Sequence, residues 1–525
     1  MSSRLLLKMV SPLYHAYLYS RWKRFDRAAR HPEQAQARQL TQILQANQSS
    51  TFGKEFRLAE IDSISAFQQR LPIADYELFS PWIDRIASGE PTVLTRAPVQ
   101  MFERTSGSTT ANKLIPYTQP LLAEFSNATD AWIFDLIRHF PRLKSLRSYW
   151  AISPVGKKKE LTAGGIPIGF QDDSEYLLPL LRWAFAQASA VPASVSQMSD
   201  ITEWQLTTAR HLLAAEDLGL ISVWSPTFLT GLMRVISDNW SELLAQLPAS
   251  RRKQLESAWN QSGAINGQRL WPHLHVISCW QDGASTQFLP MLNAFFPTLP
   301  IQGKGLLATE GVVSFPLCGH QGSVLAITSH FLEFLDLDHS NRKPILAHEL
   351  RPGGQYSPLL TTGGGLYRYH LKDRVTCVGK FAQTPLIRFE GKLDQTSDLC
   401  GEKVSAGMVE HILAKVQTEF SLTVHFALLA PVQTDPPHYG LFLESNANPE
   451  QLKALESHLE NWLRDNAHYA YCRRLNQLGK VCIYPISNGW EQYQARLIAE
   501  GTRLGDIKPT YLDRRWGWQE TFAQF

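Results

Sequence analysis

The spacing of hydrophobic and polar positions changes character three times along the 525 residues. Up to about residue 100, apolar positions recur at helical spacing between turn signals such as Arg70-Leu-Pro72 and Gly89-Glu-Pro91, which predicts helices and loops. Short apolar runs then alternate with helical segments: Tyr149-Trp-Ala-Ile-Ser153, Gly219-Leu-Ile-Ser-Val-Trp224 and His275-Val-Ile-Ser278. Apolar runs of this length predict strands of a mostly parallel sheet with helices over it. Between about 312 and 390 the helical pattern thins while Gly-rich and β-branched segments multiply, among them Gly363-Gly-Gly365 and Arg374-Val-Thr-Cys-Val378, so a small barrel or curved sheet is expected.

A further pattern starts near Asp394. Val409, Ile412, Leu413, Val416 and Phe420 repeat at helical spacing, followed by strand-like Thr423-Val-His-Phe-Ala-Leu428 and Tyr439-Gly-Leu-Phe-Leu443. Asn448 before Pro449 is a helix start, because Asn caps the first turn and Pro at the first helical position loses no needed bond. Lys480-Val-Cys-Ile-Tyr484 reads as a last strand. The fold class predicted is α/β: a large N-terminal domain of helix-covered sheets with a β-barrel-like part over 1–393, then a smaller mobile α+β domain over 394–525.

Composition agrees with two or three domains, since 59.3 kDa exceeds what one core serves. Hydrophobic residues at 44% and charged residues at 19% are ordinary for a soluble globular chain. A formal charge of +3 without clustering gives no reason to expect nucleic acid as a partner. Six cysteines, at 279, 318, 377, 400, 472 and 482, form no CxxC pair, which argues against a zinc site and a disulfide framework and fits a reducing cytoplasm. The stretch Leu5 to Tyr19 is broken by Lys8, Pro12 and His15 and is too short to span a bilayer. It predicts an amphipathic first helix packed on the body, with a weak membrane-surface contact as the alternative. A cytoplasmic monomer without an integral membrane segment is expected.

Chemistry concentrates first at Thr105-Ser-Gly-Ser-Thr-Thr-Ala-Asn-Lys113, which follows strand-like Val99-Gln-Met-Phe102. The hydroxyls of Ser106, Ser108, Thr109 and Thr110, backbone N–H groups around Gly107 and the cation of Lys113 can all donate to phosphate oxygens. The spacing GxxxxGK[ST] is absent, so this is not a Walker loop. By residue type alone it remains compatible with an ordinary polar loop.

The extended segment Phe102-Glu-Arg-Thr-Ser-Gly-Ser-Thr-Thr-Ala-Asn-Lys-Leu-Ile-Pro-Tyr-Thr118 resembles the phosphate-loop motif of the auxin-responsive Gretchen Hagen family of acyl-acid amido synthetases, members of the adenylate-forming superfamily. The resemblance runs nearly end to end, through Thr51-Phe-Gly-Lys54 and Gly165-Ile-Pro-Ile-Gly169 to Gly505-Asp-Ile-Lys508. It implies ATP and Mg2+ as cofactors, with Thr105, Ser106, Gly107, Ser108, Thr109, Thr110 and Lys113 around the phosphates. In Leu307-Ala-Thr-Glu-Gly311 it implies that Glu310 holds the metal while Thr309 and Gly311 meet the nucleotide; a turn cap is the plainer reading of Glu310. In Leu366-Tyr-Arg-Tyr-His-Leu-Lys-Asp-Arg-Val375 it implies that Asp373 accepts from the ribose hydroxyls, against a pairing with Arg374. Arg388 and Lys392 join the nucleotide set by the same resemblance. Asp394 becomes the hinge candidate, and Lys403 and Lys508 become the cations of adenylation, surface lysine roles being the alternative.

Three positions depart from the family pattern: Leu306 where relatives often place an aromatic, Lys372 in place of a Gly, and Lys392 in place of an Arg. A left-handed conformation at Lys372 would cost more than at Gly. Gly165 to Phe170 and Trp224 to Phe228 are expected to line the acyl pocket. His273 and His275 lack a third metal ligand, and Ser153, Ser225 and Ser278 lack a GxSxG elbow. The implied activity is ATP-dependent activation of a small carboxylic acid to an acyl-AMP with pyrophosphate release, then transfer to an amine, an amino acid by family analogy. An acyl-CoA ligase shares the first half of this chemistry, and a nucleotide- or acid-binding relative without turnover is the reading that the three departures motivate.

Overall fold

A computed structural model describes residues 3–105, 113–151, 160–169, 188–198, 200–259, 265–339, 343–393 and 395–523. Two compact units emerge, one from Met1–Trp280 with Met291–Phe389, the other from Gln281–Pro290 with Glu390–Phe525.

In the first unit the opening helix, Ser3–Ala29, runs well beyond Tyr19. Trp22 and Phe25 are buried on it, and Trp22 stacks on Phe134 of the helix Gln119–His139 at 5.9 Å between ring centroids. That second helix starts at Thr118, whose hydroxyl accepts from Leu121 N at 3.3 Å with Pro at the next turn position, an arrangement that satisfies an otherwise orphan donor.

The expected parallel sheet is present as Arg147–Trp150, Leu218–Ser222, Val276–Ser278 and Ile301–Gln302, in that spatial order. Tyr149, Ile221, Ile277 and Ile301 lie side by side across it. The stretch from 312 onward builds an eight-stranded sheet whose long central strands, Phe331–Asp336, Gln355–Thr361, Asp373–Phe381 and Thr384–Lys392, include the region rich in β-branched residues. A third, four-stranded sheet carries the antiparallel pair Val99–Arg104 and Leu114–Thr118, flanked by Pro167–Ile168 and Glu160–Leu161.

The second unit is a three-stranded sheet, Val424–Val432, His438–Ser445 and Cys482–Pro485, with helices on both faces. Val409, Ile412, Val416, Leu455 and Leu459 form part of one core, while Phe426, Phe442, Trp490, Trp518 and Phe522 form part of the other. Asn448 caps Pro449–Arg464 in a reciprocal box with Gln451. Among the described residues no helix is long and apolar enough to cross a membrane, and all six cysteines are free.

Candidate active site

The strands Val99–Arg104 and Leu114–Thr118, which flank the phosphate-loop segment in sequence, pair as an antiparallel hairpin. Thr105 N donates to Lys113 O at 3.1 Å, extending that ladder beyond Arg104 and Leu114. Ser106, Gly107, Ser108, Thr109 and Thr110 lie outside the described residues, as do Phe170 and Asp394. Lys113 sits with its ammonium 5.3 Å from the centroid of Tyr76, whose hydroxyl accepts from Leu114 N at 2.9 Å. Gly169 N donates to Phe102 O at 2.7 Å, so the Gly165–Gly169 segment borders the same hairpin.

Thr309 and Glu310 are the two turn residues between Leu307–Ala308 and Gly311–Val312. Glu310 is half-buried in this turn, and the paired strands hold its backbone on both sides. Tyr117 donates to the Thr309 carbonyl at 2.7 Å, and Tyr369 donates to Glu310 Oε1 at 3.3 Å. Burial first, then the charge of Glu310, pushes the Tyr369 hydroxyl far up, which keeps it protonated as a donor. Thus the hairpin strand carrying Tyr117, the turn carrying Glu310 and the segment carrying Tyr369 meet within one unit.

A buried network fixes that turn from behind. Val312 N donates to His330 Nε2 at 2.9 Å, so the imidazole proton is on Nδ1, which donates to Glu124 Oε2 at 2.8 Å. Glu124 also accepts from Gly363 N at 3.0 and 2.9 Å, and Thr118 donates to the Gly363 carbonyl at 2.9 Å. A Cβ on Gly311 would lie 2.8 Å from His330 Nε2, so this position admits no side chain without displacing the network.

Asp373 is the buried first residue of its strand. Before it, Lys372 adopts φ 58°, the left-handed conformation in which glycine would be unstrained, and its ammonium lies 3.5 Å from Asp75 Oδ2. Arg368 is also left-handed, at φ 50°, but its buried guanidinium meets both Glu333 oxygens at 3.0 Å and the carbonyls of Gln68 and Leu71. That arginine is an anchor. Tyr367 stacks on Phe52 at 4.7 Å and 5°, so the Thr51–Lys54 segment supports this strip from beneath.

The segment Ala74-Asp75-Tyr76 was not singled out in the sequence, yet it touches three site strips: Ala74 O accepts from His370 N at 2.7 Å, Asp75 pairs with Lys372, and Tyr76 meets Lys113 and Leu114. Leu306, half-buried, packs against the main core and donates its N–H to Ser314 Oγ at 3.0 Å. Arg388 is exposed on its strand, and Lys392 ends that strand half-buried.

In the second unit Lys403 is exposed with φ 51°, its carbonyl accepting from Asn466 Nδ2 at 3.2 Å. Lys508 is exposed, and its carbonyl accepts from Tyr493 at 3.2 Å.

Sequence reasoning also missed Lys304. Its ammonium is buried beyond the carboxyl ends of the parallel strands, 5.2, 5.6 and 5.6 Å from the ring centroids of Trp132, Trp150 and Trp224, and it donates to Ser222 Oγ. Burial pulls it down to about 7. The available signal was a lysine just after a strand end, which spacing alone does not separate from a surface lysine. His275 stacks on Phe140 with 6.2 Å between ring centroids, His273 is exposed, and Ser225 caps the helix Pro226–Asp238.

Three family models match the chain in order: the GH3 family N-terminal domain over residues 21–255, the GH3 family central domain over 323–392 and the GH3 family C-terminal domain over 408–514. The chain belongs to the GH3 family of acyl acid amido synthetases. Among GH3 relatives, the indole-3-acetic acid-amido synthetase GH3.4 of Arabidopsis thaliana is 22% identical, covering 95% of this chain and 92% of its own. The jasmonoyl-L-amino acid synthetase JAR4 of Nicotiana attenuata is 23% identical, with 86% and 85% covered. The solved structure of the GH3.15 acyl acid amido synthetase in complex with 2,4-DB superposes with a TM-score of 0.83 at 18% identity, covering 97% of this chain and 95% of that one. The GH3 fold is thereby shared over nearly the whole length.

Proposed function

We propose that this GH3 chain uses ATP to convert a small carboxylic acid into an acyl-AMP, releasing pyrophosphate, and then transfers the acyl group to the amine of an amino acid. The observation that carries the reading is the joining of three separate motifs by the Tyr117–Thr309 and Tyr369–Glu310 bonds. A carboxylate is a poor electrophile, because its leaving group would be oxide. Attack of the acid on the α-phosphate makes a mixed anhydride whose leaving group, AMP, departs readily, and no covalent enzyme nucleophile is needed.

The donor set at Glu310 fits a magnesium ion: one carboxylate in a tight turn, with a single long hydrogen bond among the described residues, leaves oxygen lone pairs for a hard cation that keeps its waters. When bound there, it would offset phosphate charge during in-line attack. Glu310 is assigned to hold it, and Thr309 to meet the nucleotide. Asp373 is assigned to the ribose hydroxyls. Thr105 and Lys113 frame a loop whose backbone and hydroxyls donate to the phosphates, and Lys403 and Lys508 are assigned the role of offsetting charge as pyrophosphate leaves. The acyl group is placed near Trp224, since ligands of parallel sheets bind outside the carboxyl ends of their strands. Free cysteines fit a reducing, cytoplasmic setting.

The test is product analysis by mass spectrometry after incubating the protein with ATP, Mg2+, a panel of carboxylic acids and either mixed amino acids or CoA. An amide formed only with amino acids is expected. A thioester formed only with CoA would overturn the choice of acceptor.

A further inference from the structure

The spacing of the cysteines along the chain points to no metal site, yet the fold brings two of them together from 72 residues apart. Cys400 lies in the turn after Thr396–Ser397, and Cys472 lies on the helix Ala467–Arg474. Their sulfurs and a Glu402 carboxylate oxygen all lie within 4.8 Å of one another, and no other such grouping of His, Cys, Asp or Glu occurs among the described residues. Glu402 and Cys472 are buried, and Cys400 is half-buried.

The trio is held in place by its surroundings. Glu402 Oε1 accepts from Leu399 N at 2.7 Å and from Tyr439 Oη at 2.5 Å, and Oε2 accepts from Cys400 N at 2.8 Å. Those donors fix the carboxylate facing the two sulfurs. Cys400 Sγ donates to Glu402 Oε2 at 3.3 Å, and Cys472 Sγ donates to the Cys400 carbonyl at 3.4 Å. The helix bearing Cys472 is fastened to the same turn at its start, where Asn466 Nδ2 donates to the carbonyls of Glu402 and Lys403 at 3.0 and 3.2 Å. Gly401, left-handed at φ 106°, would place a Cβ 3.9 Å from Cys472 Sγ, so turn and helix are in direct contact at the site.

We propose that Cys400, Cys472 and Glu402 form a binding site for a thiophilic divalent cation of the zinc type. Two sulfurs with one carboxylate select zinc over magnesium or calcium, which prefer all-oxygen shells. Tetrahedral coordination with metal–sulfur bonds near 2.3 Å and a metal–oxygen bond near 2.1 Å needs ligand atoms about 3.5–3.8 Å apart, so movements of about 1 Å suffice. The fourth position is left to water. Binding exchanges two thiol protons for the cation: M2+ plus two R–SH gives M(SR)2 plus two H+, with the carboxylate completing the protein ligands. Because the site directly precedes Lys403, the cation would also fix the turn that carries that lysine. The proposal stands independently of the reaction proposed above.

The experiment strips the full-length protein with a chelator under reducing conditions and titrates it with Co2+ alone. One equivalent should bind with a sulfur-to-cobalt charge-transfer band in the near ultraviolet, and one equivalent of Zn2+, but not Mg2+, should bleach it. The double variant Cys400→Ser with Cys472→Ser, folded by circular dichroism and retaining the other four cysteines, should show no such band. If that variant fails to fold, Cys472→Ala alone takes its place with the same expectation. Absence of the band in the parent protein, or its undiminished presence in the folded variant, overturns the site.

Discussion

Tyr369 donates its hydroxyl to Glu310 across 59 residues of sequence, at 3.3 Å. The bond aligns a side chain from the strip leading to Asp373 with the carboxylate assigned to the metal. A hydrogen bond to a charged group contributes about 1.5–3 kcal/mol, and this long one belongs at the lower end. Tyr369→Phe should therefore lower acid-dependent adenylation about tenfold, with an unchanged circular dichroism spectrum. Glu310→Ala should remove adenylation altogether. Full activity of folded Glu310→Ala, measured as acyl-AMP formation, would refute its role.

Lys372 tests whether a departure from the family pattern matters chemically. Relief of left-handed strain by Lys372→Gly is about 1–2 kcal/mol. Glycine's extra chain entropy, about 0.5–1 kcal/mol, and loss of the part-exposed Asp75 pair, about 0–1 kcal/mol, oppose it. The terms nearly cancel, so denaturant unfolding should show a stability within about 1 kcal/mol of the parent. Adenylation should persist, and a loss of activity in the folded variant would show that the ammonium itself serves the reaction.

The buried Glu124–His330 pair should be costly to break. Glu124→Ala leaves the Gly363 N–H and the His330 Nδ1–H without their acceptor, each costing about 1–3 kcal/mol. A combined loss of about 2–5 kcal/mol is expected in urea unfolding, with a smaller loss for Glu124→Gln, which keeps one acceptor oxygen.

Lys304 gives a pH signature. Burial lowers it from an ordinary 10.5 to about 7, so between those values the unfolded chain binds a proton that the folded chain does not. Stability therefore rises with pH across that window, and below about 7 the full penalty is present. The drop corresponds to about 5 kcal/mol at 1.36 kcal/mol per pH unit, against about 2 kcal/mol from cation–π contact with the indoles, so desolvation wins. Lys304→Met should be more stable than the parent at pH 6 by a few kcal/mol, and the gain should shrink toward pH 10.5 in unfolding titrations. A gain that does not change with pH would contradict the buried charge.

Local signals were legible where the residue itself decides. Asn448 before Pro449 announced a capped helix, and the apolar runs at 149, 219 and 275 announced strands that lie in one parallel sheet. Lys372 adopts the left-handed backbone that costs more for lysine than for glycine. What stayed hidden depends on partners far away in sequence. Glu124 and His330 are 206 residues apart, and neither has a local pattern that names the other. Ala74 to Tyr76 reads as an ordinary helix entry, and only the fold lays it against Lys113, His370 and Lys372. The Lys304 cage draws its three indoles from three separate segments.

The central claim is formation of an acyl-AMP at the site built around Glu310 and Asp373, and exchange of labelled pyrophosphate into ATP across a panel of carboxylic acids tests it most directly. Label should enter ATP only when a suitable acid and Mg2+ are present, and Asp373→Ala should abolish the exchange while remaining folded. No exchange with any acid across a broad panel, or full exchange by the Asp373→Ala protein, would contradict the account.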